Sequence, residues 1–382
     1  MALAGRTGRG GEPVVRPDTP PAATRGGVPA PPGGIRRGAP PPPVLLVRRI
    51  GELPGPVLRR ARALAGTRVS VGLARRVALR RSASAAGRLV DSPPAGFGVP
   101  LELAAIEPRT YAPLLPAGQR AAVSGLARGE ALLTRTSARL RRLGRGGRIQ
   151  LAEGRSLRVV GVIDDGVVRR AEIVVNTREG VRLGAQRRWA LVPHKGDPRR
   201  LVAALRDAGG PELRVRDLDR APWPPFLQIL PQATLKDRFG EFAVRLDRGD
   251  EVVIEPSWVE RNVVGAAVPI LGTVSCHREM IPALRRALGE LERRGLERLV
   301  DRGDYAGCFA AKDIPTTGAV SRHAWGLAID LNAAANPYGE RSTQGRRLIE
   351  IMERNGFAWG GRWPTPDAMH FEYVGEGPGA GA

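Results

Sequence analysis

Two short segments near the C-terminal end carry two of the chain's four histidines, each beside acidic residues. The first reads Ser321-Arg-His-Ala-Trp-Gly-Leu-Ala-Ile-Asp330-Leu-Asn332, and the second Asp367-Ala-Met-His370-Phe-Glu372. If the two segments act together, the fold must bring them into contact across about 40 residues, which limits the topologies open to this part of the chain. His323 and Asp330 lie seven residues apart with Gly326 between them, unlike the His-Glu-x-x-His helix, which sets two histidines one turn apart. Gly326 allows a tight reversal. Beyond it, Leu327, Ile329 and Leu331 alternate with Ala328, Asp330 and Asn332, the period of a strand. Asp330 then points away from the apolar layer and toward His323. His370 belongs to another strand and shares a face with Glu372. Two imidazoles and one carboxylate suit Zn²⁺ and leave a coordination position open for water.

The surrounding pattern predicts an α+β fold. From about residue 266, a strand is expected over 268–274 and a helix over 279–294, with Met280, Leu284, Leu288 and Leu291 on one face and Gly295 as its stop. Loop or short strand over 305–312, a strand over 326–331, a second helix over 343–354 and a last strand over 371–374 complete a small antiparallel sheet flanked by helices. Residues 376–382 form a Gly-rich tail. Residues 1–45 are rich in Pro, Gly and Arg; with little apolar surface to bury, they are expected to be disordered. Residues 46–97 have no clear domain assignment, although 57–65 and 77–89 have the spacing of short basic helices. Residues 98–220 predict a separate α+β domain of unassigned role. It has helices over 118–126 and 130–143 and strands over 148–152, 156–163 and from 171. A strand at Trp189 follows, then a helix opened by Asp197-Pro198. Residues 221–265 predict a connector, begun by Pro222-Trp-Pro-Pro, that docks on the C-terminal domain.

The formal charge is +22, and nearly every cation is arginine, with lysine only at Lys195, Lys236 and Lys312. Such a balance favours polyanions: nucleic acid, an anionic wall polymer or a membrane surface. The arginines are spread along the chain and no nucleic-acid motif accompanies them, so an arginine-biased composition explains them and no specific nucleic-acid partner is expected. No apolar run approaches the ~18 residues of a membrane span, and the first residues show no signal-peptide core. Cys276 and Cys308 flank the predicted 279–294 helix. In an oxidising compartment they could pair, contributing ~3–4 kcal/mol by loop entropy; otherwise they are two buried thiols. Neither has the close spacing of cysteine zinc ligands.

The motifs Ser-x-His-x-x-Gly-x-Ala-x-Asp (321–330) and Asp-x-x-His-x-Glu (367–372) resemble those of the zinc D-Ala-D-Ala carboxypeptidase and dipeptidase family, which includes VanY-like enzymes and L-alanyl-D-glutamate peptidases. The resemblance covers roughly 266–375. It implies one Zn²⁺ held by His323, Asp330 and His370, with Asp367 as general base where the family more often has Glu. Val274-Ser-Cys-His-Arg278 stands in the place of the family's Ser-Gly-Tyr-Arg-Ser, which implies that Arg278 polarises the scissile carbonyl. Ser321 matches a substrate-binding serine or caps a turn; Lys312 binds a substrate carboxylate or is a solvated loop lysine. Glu372 is expected to orient a ligand histidine. Trp325, Trp359 and Trp363 wall the cleft or pack in the core. His277 is a pocket residue, is merely partly buried, or closes the metal site as a fourth ligand. The implied activity is hydrolysis of peptidoglycan stem peptides at the cell envelope or outside the cell, with no export signal visible and the cytoplasm left open. The competing readings are a non-catalytic zinc-stabilised wall-binding module and, on charge alone, a nucleic-acid binder. Residues 98–220 loosely resemble the extracytoplasmic β-rich domains of ABC-transporter permeases, through Gly129-Glu-Ala-Leu-Leu and Ser137-Ala-Arg-Leu ahead of a glycine turn and a valine-rich strand.

Overall fold

The computed structural model describes residues 41–375 apart from 50, 66–67, 169, 219–229, 247–251, 315–317 and 364. The expectations for residues 1–40, for Pro222-Trp-Pro-Pro and for the 376–382 tail lie outside the described residues. Val44 and Leu45, at the far end of the segment expected to be disordered, pair in a strand.

In chain order the first part contains β1 (Val44–Arg48), α1 (Gly55–Ala65), β2 (Ser70–Ala83), β3 (Leu89–Asp91), β4 (Phe97–Ile106), α2 (Pro108–Tyr111), α3 (Ala117–Ser124) and β5 (Glu130–Thr134). It continues through α4 (Arg135–Leu140), β6 (Arg148–Leu151), β7 (Ser156–Ile163), β8 (Ile173–Asn176), α5 (Thr177–Arg182), β9 (Gln186–Pro193), α6 (Arg199–Gly209) and β10 (Arg214–Asp217). The second part contains α7 (Gln232–Phe239), β11 (Val244–Arg245), α8 (Pro256–Asn262), β12 (Val263–Val268), β13 (Gly272–His277) and α9 (Ile281–Arg293). It ends with β14 (Ala328–Asp330), α10 (Arg346–Arg354), β15 (Phe357–Trp359) and β16 (His370–Tyr373).

Strands β2, β6, β7, β5, β8 and β4 are hydrogen-bonded in that order, and β2 also pairs with β4, so the ring closes into a barrel. Pairs β4–β8 and β5–β7 are parallel. Residues two apart point inward: Leu101 and Leu103 on β4, Ile149 and Leu151 on β6, Leu157 and Val159 on β7 belong to one buried cluster. Strands β9, β1 and β10 extend the sheet beyond β2, and α1 and α6 share a core with them.

Three sequence expectations are corrected. Residues 77–83, expected as part of a helix, lie in β2, where Val77 and Leu79 are buried in the barrel and Arg80 is exposed. The period there is two, and over so short a stretch it was read as 3.6. The expected 130–143 helix is a strand followed by a short helix, because Ala131 and Leu133 fill the barrel before the chain turns at Thr134. The expected 268–274 strand is the bend of hairpin β12–β13, with Ile270 at φ 63°.

The C-terminal sheet is antiparallel in the order β14-β16-β15. Leu284, Leu288 and Leu291 of α9 and Leu348, Ile351 and Met352 of α10 share its core with Ile329 and Phe371, as the apolar spacing predicts. Helix α7 joins this core to the barrel. Leu235 and Phe239 lie in the C-terminal core, whereas Gln232 and Lys236 reach the barrel. Lys236 Nζ is 2.9 Å from both oxygens of Glu172 and also donates to Pro100 O. Glu241 lies 3.2 Å from the same ammonium, and Arg141 bridges Glu241 and Asp91. The connector therefore binds the barrel as well as the C-terminal domain.

The side chains of Lys236 and Glu172 are both 0% exposed. Lys236→Met should leave Glu172 as an uncompensated buried charge, at roughly 3–5 kcal/mol. The check is the urea midpoint, which should fall at unchanged slope.

Candidate metal centre

The β14–β16 register sets Asp330 opposite His370 and Ala328 opposite Glu372. This pairing brings together the two segments that are distant in sequence. His323 is delivered by a short 3-10 turn, Arg322–Trp325, just before β14. Gly326 ends that turn at φ 66°, and a Cβ there would lie 2.6 Å from the backbone nitrogen of His277. Both the left-handed conformation and the close approach require glycine. Ser321 caps the turn, its Oγ accepting from the His323 backbone N–H at 3.3 Å.

His323 Nε2 lies 3.1 Å from Asp330 Oδ2, His370 Nδ1 3.0 Å from Asp330 Oδ1, and the two imidazole nitrogens 3.2 Å apart. All three residues are buried, and their donor atoms fall within 4.8 Å of one another. His323 Nδ1 is 2.7 Å from Cys308 O; a proton held there leaves Nε2 as the free donor facing the cluster. His370 is turned the other way, with Nδ1 inward and Nε2 3.9 Å from Glu372 Oε2. Four donors around Zn²⁺ at ~2.0–2.1 Å stand about 3.3–3.4 Å apart. The spacing and chemistry of these three groups therefore fit Zn²⁺.

The electrostatics match a cluster built for positive charge. Burial opposes ionisation of Asp330, but the two histidines beside it, His323 and His370, hold its carboxyl well below the usual range. Burial likewise opposes charge on His370, yet Asp330 and Glu372 push it up to about 10. Asp367 is half-buried. Burial raises its carboxyl, partly offset by His370, His323 and Lys312, while the Asp330 charge adds to the rise. Asp367 is thus in the field of the cluster without an ion pair of its own among the described residues.

Not every residue singled out from sequence meets the cluster. Lys312 does: its Nζ is 4.0 Å from Asp330 Oδ2, with the side chain half exposed. Arg278 is exposed just past β13, its backbone N–H donating to Asn262 O, and no ion pair joins it to the cluster among the described residues. His277 is buried with Nε2 3.1 Å from Phe239 O and makes no contact with the cluster. Trp325 is core, bonded to Gly240 O, and Trp359 bonds to Ala368 O. Of the three, Trp363 lies against the cluster, its ring centroid 5.2 Å from that of His370. Cys276 and Cys308 form a disulfide with Cα atoms 5.4 Å apart, so the cysteine that closes the bond also offers the carbonyl that receives His323.

Sequence reasoning missed Tyr305 and Tyr338. Burial and then the charge of Asp330 raise the Tyr305 phenol, and burial and then the charge of Asp367 raise that of Tyr338. Neither lies in a motif; only the loops that return to the site bring them near. Arg322 was also missed, because it occupies a variable position of the motif.

Residues 315–373 match the family model described as D-alanyl-D-alanine carboxypeptidase. The match falls where the two motifs lie and covers the His–Asp–His group. No curated protein matches the chain. Among solved structures, the extracellular domain of the noncanonic ABC-type transporter YknZ from Gram-positive bacteria is similar at 10% identity and a TM-score of 0.30, over 45% of this chain and 99% of that one. A likeness that low says nothing further about this protein. Among the described residues, no helix is long and apolar enough to cross a membrane.

Metal uptake should release protons. A ligand nitrogen must be free of its proton, and His370 keeps its proton up to about pH 10 in the metal-free protein. Apparent Zn²⁺ affinity should therefore rise with pH through the neutral range. Titration calorimetry in buffers of different ionisation enthalpy should show about one proton released per ion; binding enthalpy independent of buffer would contradict this.

Proposed function

We propose that the C-terminal part of this chain is a zinc-dependent peptidase acting on peptidoglycan stem peptides, as a D-Ala-D-Ala carboxypeptidase or a related endopeptidase. The observation that carries the reading is the buried His323–Asp330–His370 group within a segment matching that peptidase family. His323 Nε2, an Asp330 oxygen and His370 Nδ1 would hold the ion. Bound Zn²⁺ would supply Lewis acidity toward water and the scissile carbonyl.

The chain's own residues do the rest. Asp367 takes a proton from the attacking water and delivers it to the leaving amine. In the metal-free protein, burial raises its carboxyl above the ordinary aspartate range. Lys312 is the cation at the cluster, suited to a substrate carboxylate or to negative charge developing on the carbonyl oxygen. Arg278 has no ion pair with the cluster among the described residues, whereas Lys312 faces Asp330, so Lys312 is favoured. Ser321 serves the turn that presents His323. Glu372 backs the outer nitrogen of His370.

The alternative, a non-catalytic zinc-stabilised module, calls for a fourth protein ligand that closes the site. His277 does not act as one, since its ring is engaged with Phe239 O. The Cys276–Cys308 disulfide supports work in an oxidising compartment, where peptidoglycan is found.

Zinc-loaded full-length protein should release an amino acid or peptide from purified peptidoglycan, detected by mass spectrometry. Asp367→Ala should keep its zinc and lose roughly 10²–10⁴-fold in kcat/KM. No product from any stem peptide would sink the peptidase reading. Because a protonated Asp367 cannot accept a proton, kcat/KM should fall as pH drops through its pKa.

A further inference from the structure

Arg322 precedes a metal ligand in sequence, yet its side chain is spent elsewhere. It is 6% exposed. Its Nε donates to Glu372 Oε1 at 3.1 Å and its Nη2 to Leu230 O at 2.7 Å. Glu372, 1% exposed, turns its other oxygen, Oε2, toward His370 Nε2 at 3.9 Å. A buried carboxylate needs a cation and fixed donors to stay ionised in one place. Here Arg322 grips one oxygen, and the second is left facing the ligand's outer nitrogen.

We propose that Arg322 is a positioning residue for the metal centre: by fixing Glu372 it sets the ring of His370 so that Nδ1 faces Asp330 and His323. The proposal rests on the metal-centre reading above. A carboxylate on the outer nitrogen of a ligand imidazole selects the tautomer and the ring orientation. If Glu372 loses its anchor, the imidazole can rotate and the inward nitrogen no longer points at the cluster.

The anchor itself comes from outside the peptidase-like segment. Leu230, which accepts from Arg322, belongs to the connector. Arg322 is also attracted electrostatically to Glu102 on β4 of the barrel. A second tie from the barrel reaches the same side of the site: Arg76 on β2 lies 2.6 Å from Asp313, the neighbour of Lys312. The barrel thereby gains a role. Together with the connector it completes the shell around a metal centre whose three ligands all lie within 315–373.

The test is zinc affinity of the full-length chain, measured by competition with a chromophoric chelator and independent of turnover. Arg322→Met should weaken binding roughly 10–100-fold. Glu372→Gln should weaken it similarly, and the double variant should lose no more than the worse single one, since both act through one link. Arg322→Lys keeps the charge but lacks the planar fork that reaches Glu372 and Leu230 O together, so it should fall between. Circular dichroism of the metal-free proteins reports folding. If Arg322→Met does not fold, Arg322→Lys and Glu372→Gln decide: affinity unchanged in Arg322→Lys while Glu372→Gln is weakened overturns the proposal. Wild-type affinity in a folded Arg322→Met, or losses that add in the double variant, also overturns it. Wild-type protein that binds no zinc would instead overturn the metal-centre reading, and this proposal with it.

Discussion

Ile329 lies opposite Phe371 in the antiparallel pair β14–β16, and both are 0% exposed. Burial of that pair fixes the register, and the register sets Asp330 against His370. Side chains alternate across a strand, so a slip of one residue would turn Asp330 into the apolar core and Ile329 outward. Such a slip would bury a carboxylate without a partner, at a cost of several kcal/mol. The His–Asp–His cluster thus rests on ordinary hydrophobic packing on the opposite face of a small sheet. His323 is the one member of the cluster not supplied by this ladder. It depends on a glycine-ended turn, on the Ser321 cap and on the carbonyl of a disulfide-bonded cysteine.

Buried charges recur between the barrel and the cluster. Lys236, Glu172, Glu241 and Arg141 tie the connector to the barrel. Arg322 and Glu372 continue the pattern beside the cluster. Buried ion pairs add little net stability compared with well-packed apolar residues of the same volume. They do, however, penalise any arrangement in which a partner is missing. Their use here fits a need for one defined placement of barrel against metal centre.

The site was more legible in the sequence than the architecture. Histidines are scarce, and their spacing with Asp330, Gly326 and Asp367 leaves few ways for them to serve one purpose. The fold of the C-terminal sheet followed from the alternation of Leu327 to Leu331. The barrel was not legible, because its closure depends on pairings such as β4–β8 and β5–β7 between strands far apart in sequence, and no local pattern announces them. Val77 and Leu79 could be read with either period until the partners were seen. Arg278 is expected by analogy of position alone, and it lies exposed just past β13. Lys312 stands out in the sequence as a rare lysine close to the motif, whereas the contacts of Arg322 with Glu372 and Leu230 O depend on segments distant in the chain, which spacing does not reveal.

The central claim is that two imidazoles and one carboxylate of this chain hold a single Zn²⁺ with a position left open. Zinc K-edge X-ray absorption on the full-length, zinc-loaded protein tests it most directly. The account predicts one ion per chain with a first shell of nitrogen and oxygen at ~2.0–2.1 Å, two imidazole rings in the outer scattering and no sulfur. Sulfur scattering at ~2.3 Å, or a spectrum unchanged in both His323→Ala and His370→Ala, would contradict it.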